Sequence, residues 1–481
     1  MLISILASPG FDPAAHEMIR LFFPESQIKY EPVPADLTVT IIAAEGMTEA
    51  FIKLAGALEL DRRVPLEPGR SLIEMKRDLR IALYDDLLRL TGKNPTAYGV
   101  LTGVRPTKLV HRLADEGMTW DQIEDELTGY FRVNPERARL LITVAANNRP
   151  FLPEADRSSR MAALYIGIPY CPSRCHYCSF PGYPLRYRPD LDAFFEGLMQ
   201  ESVRVGQALA ASPLRVEMLY IGGGTPSVLS DAQWERLFEA IHRYYPGPAG
   251  REFTVEAGRP DTIHQGLLRR LAGGAVNRIS INPQSMHAET LTAIGRQHSP
   301  DQVRSAVRLA REAGFDNINM DMILGLPGEN EPVFLSSLSE VIALKPEGIT
   351  VHSLARKRGA QWTIRGIDPY EAPEQSGRIG GHHQALLDAG FQPYYLYRQK
   401  YSAGNGENIG YAIPGRFSRY NIGMMEERLN IVGLGGGASI KYLNQGEPAL
   451  DVWHNPADPV YYLRNLENYI NRQVDKLMGL T

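Results

Sequence analysis

Six short β-rich apolar runs, separated mostly by stretches of helical periodicity, constrain the fold of this chain more than any other feature. They are ALYIGIP (163–169), VEMLYIGGG (216–224), FTVEA (253–257), NRISIN (277–282), NINMDMILGLP (317–327) and GITVHSL (348–354). Between them lie DLDAFFEGLMQESVRVGQALAA (190–211), SDAQWERLFEAIHRYY (230–245), TIHQGLLRRLAG (262–273) and PDQVRSAVRLAREAG (300–314), with the 3.6-residue period and polar start of crossover helices. Six βα units in succession imply a parallel sheet curved into a barrel or part of one. The expected fold class is α/β, a partial (β/α)6 barrel with a small α/β domain before it and an α+β extension after it. At 481 residues the chain exceeds one compact core. We place an N-terminal accessory domain at 1–155, the barrel at 156–384 and a C-terminal substrate-covering domain at 385–481. The first shows two early strands, MLISILAS and DLTVTIIAA, and helices over 71–92 and 134–148; NNRPFLPEADRSSR (147–160) reads as the linker.

The unusual residues fall at one end of the six runs. All three cysteines of the chain, Cys171, Cys175 and Cys178, follow the first run. Gly222–Thr225 end the second, Glu256 closes the third, Gln284 follows the fourth and Gly325–Gly328 follow the fifth. The C-terminal strand ends of a βα barrel form its active-site face, so this alignment marks a site.

The spacing C-x3-C-x2-C suits thiolate ligation of zinc or of an iron–sulfur cluster. A structural zinc site closes with four ligands, commonly in paired C-x2-C units. Here there are three thiols, with His176 the nearby nitrogen. Incidental cysteines would scatter along the chain. A secreted disulfide framework would use paired, dispersed cysteines, and the N-terminus lacks the basic region of a signal peptide. A cytoplasmic location is expected. The net charge of −4 gives no general attraction to nucleic acid, and no apolar run approaches a membrane span.

Three thiolates on a four-iron cluster leave one iron open. C-x3-C-x2-C after a barrel strand resembles the radical S-adenosylmethionine (SAM) enzymes. That resemblance implies a [4Fe-4S] cluster whose open iron is chelated by SAM, and reductive cleavage of SAM to a 5′-deoxyadenosyl radical. YIGGGTPSVL (220–229), TVEAGRPDT (254–262), RISINPQSMHAETLTAIGRQH (278–298) and NMDMILGLPGE (319–329) narrow it. With the cysteine motif they resemble the oxygen-independent coproporphyrinogen III dehydrogenase-like family over roughly 160–360. GVLTGVRPTKLVHRLADEG (99–117), TVHSLARKRGA (350–360) and YNIGMMEERLNIVGLGGGA (420–438) are similar to its extended bacterial branch.

The resemblance implies roles residue by residue. Cys171, Cys175 and Cys178 would hold the cluster. Tyr165 would contact the cluster-bound SAM and count as catalytic. Tyr177 would offer its backbone to adenine. Gly223, Gly224 and Thr225 would form the turn against the methionyl group, where lack of Cβ atoms allows close approach. Glu256 would accept from the SAM ammonium. Gln284, Arg296 and Asp321 would line the SAM region, Arg296 suiting a carboxylate and Asp321 a ribose diol. Ala355 would lie beside them at the end of strand six.

Two functions follow. As an enzyme, the chain would convert propionates of coproporphyrinogen III to vinyls, giving protoporphyrinogen IX with a reductant such as flavodoxin or ferredoxin. Arg356, Lys357, Arg358, Arg365, Arg398 and Lys400 would meet propionates, and Tyr394, Tyr395, Tyr397 and Tyr401 the ring. As a heme-binding chaperone, it would use His352, His382, His383 or His454 as axial ligand. Phe180 stands where the dehydrogenase proper has a fourth cysteine, and a Phe there is typical of the paralogues that include heme chaperones.

Overall fold

The computed structural model describes residues 1–480 except 45–46, 48, 68, 70, 95, 181, 356–358, 365–379, 400–405 and 444–449. Among the described residues, Met1–Ile142 form one compact unit and the chain from Thr143 the other. The division falls inside the helix Pro135–Asn148.

In the first unit, β1 (Leu2–Ala7), β2 (Gln27–Lys29), β3 (Leu37–Ile42), β4 (Glu49–Gly56) and β5 (Leu60–Pro65) form a sheet in the order β2-β1-β3-β4-β5. β1 runs parallel to both β2 and β3, while β4 and β5 add antiparallel. The helix Leu72–Thr91 starts at a capping box, Ser71 with Glu74, and stops at Gly92 with φ +65°. Each device satisfies backbone groups that a helix end would leave bare.

The second unit is built on six parallel strands: β6 (Met161–Ile168), β9 (Arg215–Gly223), β10 (Glu252–Gly258), β11 (Arg278–Ile281), β12 (Ile318–Leu324) and β13 (Gly348–Ser353). A short pair, β7 (Tyr170–Cys171) and β8 (Tyr183–Pro184), lies in the first loop. Every strand foreseen from the sequence is present. All but one residue of β6 is buried, as expected where helices cover both faces of a parallel sheet.

The stretch assigned from sequence to a separate C-terminal domain supplies five strands of this same sheet. β14 (Gln392–Arg398) and β15 (Glu407–Ala412) extend the β13 edge antiparallel. β16 (Asn430–Gly435), β17 (Ser439–Leu443) and β18 (Leu450–His454) extend the other edge. The full order is β14-β15-β13-β12-β11-β10-β9-β6-β16-β17-β18. β16 pairs parallel with β6, adding a seventh parallel strand.

The stretch 147–160 is not a free connection. Asn147 donates to the Pro393 carbonyl (2.8 Å), Asn148 bonds Glu426 (3.3 Å) and the Phe151 ring meets Phe417 edge-on at 5.8 Å. Its prolines and charges gave the look of a linker, but its amides and Phe151 anchor it to the barrel unit.

Gly410 in β15 lies beneath the Tyr395 ring, where an added Cβ would come within 1.8 Å of it. That ring is buried and its hydroxyl donates to Thr350 (3.3 Å), so it has no room to retreat. Gly410→Ala is expected to cost about 2–3 kcal/mol, read as a lower melting temperature with unchanged far-ultraviolet dichroism.

Candidate functional site

The loop after β6 carries the thiols, and backbone bonds fix its course. Tyr183 N–H donates to the Pro169 carbonyl and Leu185 N–H to that of Cys171, both at 2.8 Å. His176 N–H reaches the Ile294 carbonyl (3.0 Å), tying the loop to the segment after β11. Cys175 is buried and the other two cysteines are partly so. Burial pushes the Cys171 thiol up, and burial plus the neighbouring Cys175 and Cys171 take Cys178 to about 11. The three sulfurs therefore lie close enough to feel one another. Among the described residues, no three His, Cys, Asp or Glu side chains converge on one ion position. A Cβ on Gly182 would stand 2.9 Å from the Cys171 sulfur, so this glycine keeps the loop tight.

The turn ending β9 meets this loop. Gly224 N–H donates to Ile168 and Thr225 N–H to Tyr170, both at 2.7 Å, and Thr225 Oγ1 donates to Cys171 Sγ at 3.3 Å. Gly223 has φ +106°, and a Cβ on Gly224 would stand 2.5 Å from the Tyr170 carbonyl oxygen. A Cβ on Gly222 would collide with the Glu256 carboxyl at 2.8 Å. Tyr220 OH donates to Glu256 Oε1 (2.5 Å), and the Gly223 N–H adds a second bond. Burial raises the Glu256 carboxyl to about 7 against these bonds. The rings of Tyr165, Tyr220 and Tyr420 stack beside it, the last two at 4.4 Å between centroids.

A second group closes the site. Arg296 donates to Tyr177 OH (3.1 Å) and reaches the Asn282 carbonyl (3.5 Å). Burial opposes its charge, but Tyr177 and the Cys175 and Cys178 sulfurs more than offset that, so Arg296 stays a cation. The Tyr177 ring packs on Leu291, Ile294, Ile323, Leu326, Leu354 and Trp362. Gln284 sits at φ +67°, its N–H donating to the Asp321 carbonyl (2.9 Å). Such backbone is strained for a non-glycine residue and persists only where the surroundings enforce it. Arg296 Nε, Asn282 Oδ1 and Gln284 Oε1 are buried without a hydrogen-bond partner. Asp321 faces His352, with Oδ2 3.8 Å from Nε2, while His352 Nδ1 is 2.9 Å from Asn408 Oδ1. Burial works to raise the Asp321 carboxyl, but His352, Asn319 and Thr350 hold it below the ordinary range.

The site residues named from sequence thus form linked groups: Cys171 with Thr225 and Gly224, Tyr177 with Arg296, Tyr165 with Glu256, and Gln284 with Asp321. Asp321 also acts electrostatically on Glu256, joining the two halves. Ala355 follows β13, buried, with no polar side chain to contribute. Sequence reasoning missed Tyr220, Tyr420 and Asn408, and gave His352 a different role. Tyr220 had a signal: it is the hydroxyl-bearing side chain of an otherwise apolar stretch of β9, MLYI. Tyr394 and Tyr395 are core residues, Tyr394 stacked on Phe417 at 4.9 Å, so they do not present faces to a ring. Arg356, Lys357, Arg358, Arg365, Lys400 and Tyr401 lie outside the described residues. The candidate axial histidines are dispersed: His352 is engaged by Asn408 and Asp321, His383 by Tyr411 (2.9 Å), His382 packs on Phe334, and His454 is exposed on β18.

Residues 165–339 match the Radical SAM superfamily. The chain is 35% identical to the oxygen-independent coproporphyrinogen-III oxidase-like protein HemZ of Bacillus subtilis, across 95% of this chain and 93% of that one. It is 32% identical to the heme chaperone HemW of Lactococcus lactis, across 59% of this chain and 72% of that one. The solved structure of coproporphyrinogen III oxidase (HemN) from Escherichia coli, a radical SAM enzyme, shares the fold. Its TM-score is 0.53 at 21% identity, over 65% of this chain and 70% of that one. No helix among the described residues is long and apolar enough to cross a membrane. A cysteine loop, glycine turn and buried acid at the C-terminal ends of parallel strands, with near full-length similarity to such a relative, make this chain a member of the radical SAM superfamily, in its coproporphyrinogen III oxidase-like family.

Proposed function

We propose that Cys171, Cys175 and Cys178 hold a [4Fe-4S] cluster, that SAM occupies the adjoining cradle, and that the chain oxidatively decarboxylates coproporphyrinogen III propionates to vinyls. The observation that carries this reading is the set of unpaired buried polar atoms on Arg296, Asn282 and Gln284 around the thiol loop. Buried polar groups are nearly always paired, and a bound ligand or an ordered water is one way such atoms are completed. The donor set fits the cluster, since a cube of four irons takes one thiolate per iron and does not ask three sulfurs to converge on one ion. The Tyr177 backbone has no hydrogen-bond partner among the described residues and sits beside an apolar cluster suited to adenine. Gly222–Gly224 leave a path along the backbone that side chains would block.

When bound, the cluster and SAM supply a 5′-deoxyadenosyl radical able to take hydrogen from a propionate β-carbon. The residues of this chain bind and orient. Glu256 accepts from the SAM ammonium, Arg296 faces a carboxylate, and the Tyr165–Tyr220–Tyr420 stack walls the chamber against water.

Glu256 gives the reading a pH signature. Its carboxyl, raised to about 7, must be ionised to pair with an ammonium, so KM for SAM should fall as pH rises from about 6 to 8. Glu256→Gln is expected to raise that KM about tenfold or more at pH 8 and to flatten the pH profile. Steady-state SAM cleavage across pH checks both.

The direct test is anaerobic incubation of reconstituted protein with SAM, a strong reductant and coproporphyrinogen III, followed by mass spectrometry. Tri- and dicarboxylate porphyrinogens with matching 5′-deoxyadenosine are expected. Deoxyadenosine without decarboxylated product would give the radical site another substrate. Stoichiometric heme binding without deoxyadenosine would place the chain with the chaperones it resembles.

A further inference from the structure

The segment GVLTGVRPTKLVHR (99–112) has no part in the barrel site, yet it builds a defined cavity within the first unit. The cavity holds about 210 Å³, and Arg77, Arg80 and Arg112 are among its lining residues. Its position follows from local geometry. Arg77 and Arg80 are three residues apart on the helix Leu72–Thr91, which puts both on one face. Leu109 and Arg112 stand in the same relation on the helix Thr107–Asp115. The loop Val100–Gly103 closes the space between the helices. It is pinned by Val100 N–H donating to the Phe131 carbonyl (3.1 Å) and by Gly99 at φ +54°. A Cβ at Gly99 would stand 2.2 Å from the Phe131 oxygen, so only glycine lets the loop approach this closely.

Among the described residues, two of these three charges have one acidic partner each and the third has none. Arg77 lies over the Phe131 ring at 5.5 Å and has no ion pair among the described residues. Arg80 Nε is 3.2 Å from Glu17 Oε2, but it is buried and out of hydrogen-bond alignment. That same Glu17 oxygen accepts from Thr102 (3.0 Å). Among the described residues Arg112 pairs with Glu116 alone, at 3.8 Å on an exposed edge. Against three arginines the lining contains no acidic side chain. Val100, Leu109 and Phe131 supply apolar wall, which lowers the local dielectric and strengthens whatever pairs with the guanidinium groups.

We propose that this cavity is a binding site for a small anion with two or more adjacent anionic oxygens, a phosphate ester or a polycarboxylate. Guanidinium forks bind such oxygens in pairs, and three arginines lining one volume favour a multiply charged group over a single carboxylate. The volume lies below the ~300 Å³ at which drug-sized ligand sites begin, so the anionic head is bound here and any larger part projects outward. The site is independent of the cluster and of the reading above.

The test is isothermal titration of the full chain with inorganic pyrophosphate and with citrate at low ionic strength, beside Arg77→Gln and Arg112→Gln. The expected result is one saturable site in the wild type that each substitution weakens about tenfold or more, with melting temperatures unchanged. Preference for pyrophosphate would identify a phosphorylated ligand, and preference for citrate a polycarboxylate. Absence of saturable heat up to millimolar anion, or equal affinity in wild type and both variants, would overturn the proposal.

Discussion

Alanine at any one of Cys171, Cys175 or Cys178 is expected to leave a folded protein that neither retains a full cluster nor cleaves SAM. The loss should be about a thousandfold or more, as for groups that act as a unit. The thiols have no substitute: among the described residues no other His, Cys, Asp or Glu group is arranged to hold metal. The fold should survive because the loop is held by backbone bonds from His176, Tyr183 and Leu185 and by the Gly224 and Thr225 N–H bonds of the turn after β9, none of which uses a sulfur. Iron content, the visible absorbance of the reconstituted protein and 5′-deoxyadenosine yield are the readouts. Phe180→Ala is the control, since that ring is 66% exposed. Full SAM cleavage by a cleanly reconstituted Cys178→Ala protein would refute the ligand assignment.

The second large effect is on stability. Glu201, in the helix Arg188–Ala211, is fully buried. Its Oε2 accepts from Gly435 N–H (2.7 Å) and Tyr462 OH (2.6 Å), and its Oε1 from Asn455 Nδ2 (2.8 Å). One carboxylate thus ties the helix over β6 to the end of β16 and to the C-terminal helices. Glu201→Ala strands three buried donors and opens a cavity, and is expected to cost about 3–5 kcal/mol. Glu201→Gln keeps the shape but turns an NH2 toward one donor, costing about 1–2 kcal/mol.

The pH dependence separates these effects. Burial raises Glu201 to about 7 from an ordinary 4.5, so the folded state holds a proton that the unfolded state has lost between those values. Its contribution is therefore fullest below about 4.5 and falls as pH rises to about 7, by roughly 3 kcal/mol in all. The stability advantage of wild type over Glu201→Gln should shrink and then reverse between pH 5 and pH 8. Calorimetric melting of both proteins across that range checks it; a gap that does not change would show the carboxylate to be ionised throughout.

The barrel was legible because its strands are β-branched or aromatic runs with long amphipathic helices between them, and the site because its residues sit at one end of those runs. Thr225 follows β9, Glu256 lies near the end of β10 and Arg296 follows β11. β16 was not legible. Its sequence, NIVGLG, leads into GGAS and looks like a loop, because glycine weakens a strand pattern. The glycines are there for close backbone approach: a Cβ on Gly435 would come within 2.4 Å of the Gly167 oxygen, and one on Gly433 within 2.7 Å of that of Ser439. The Tyr394–Tyr395 misreading has the same root. A tyrosine packed in the core and one facing a ligand look alike until the neighbours, here Phe417 and Gly410, are in place.

The pairing of β16 with β6 also sets a timetable. Ala162 meets Asn430 and Gly167 meets Gly435, partners separated by some 268 residues of chain. At a ribosomal speed of about 5–20 residues per second, roughly 13–54 s pass between synthesis of the two strands. During that interval β6 has one bare, almost wholly apolar edge, and the thiol loop at its end hangs from an unfinished sheet. The strand that carries the thiol loop therefore gains its second neighbour only after most of the chain has been made.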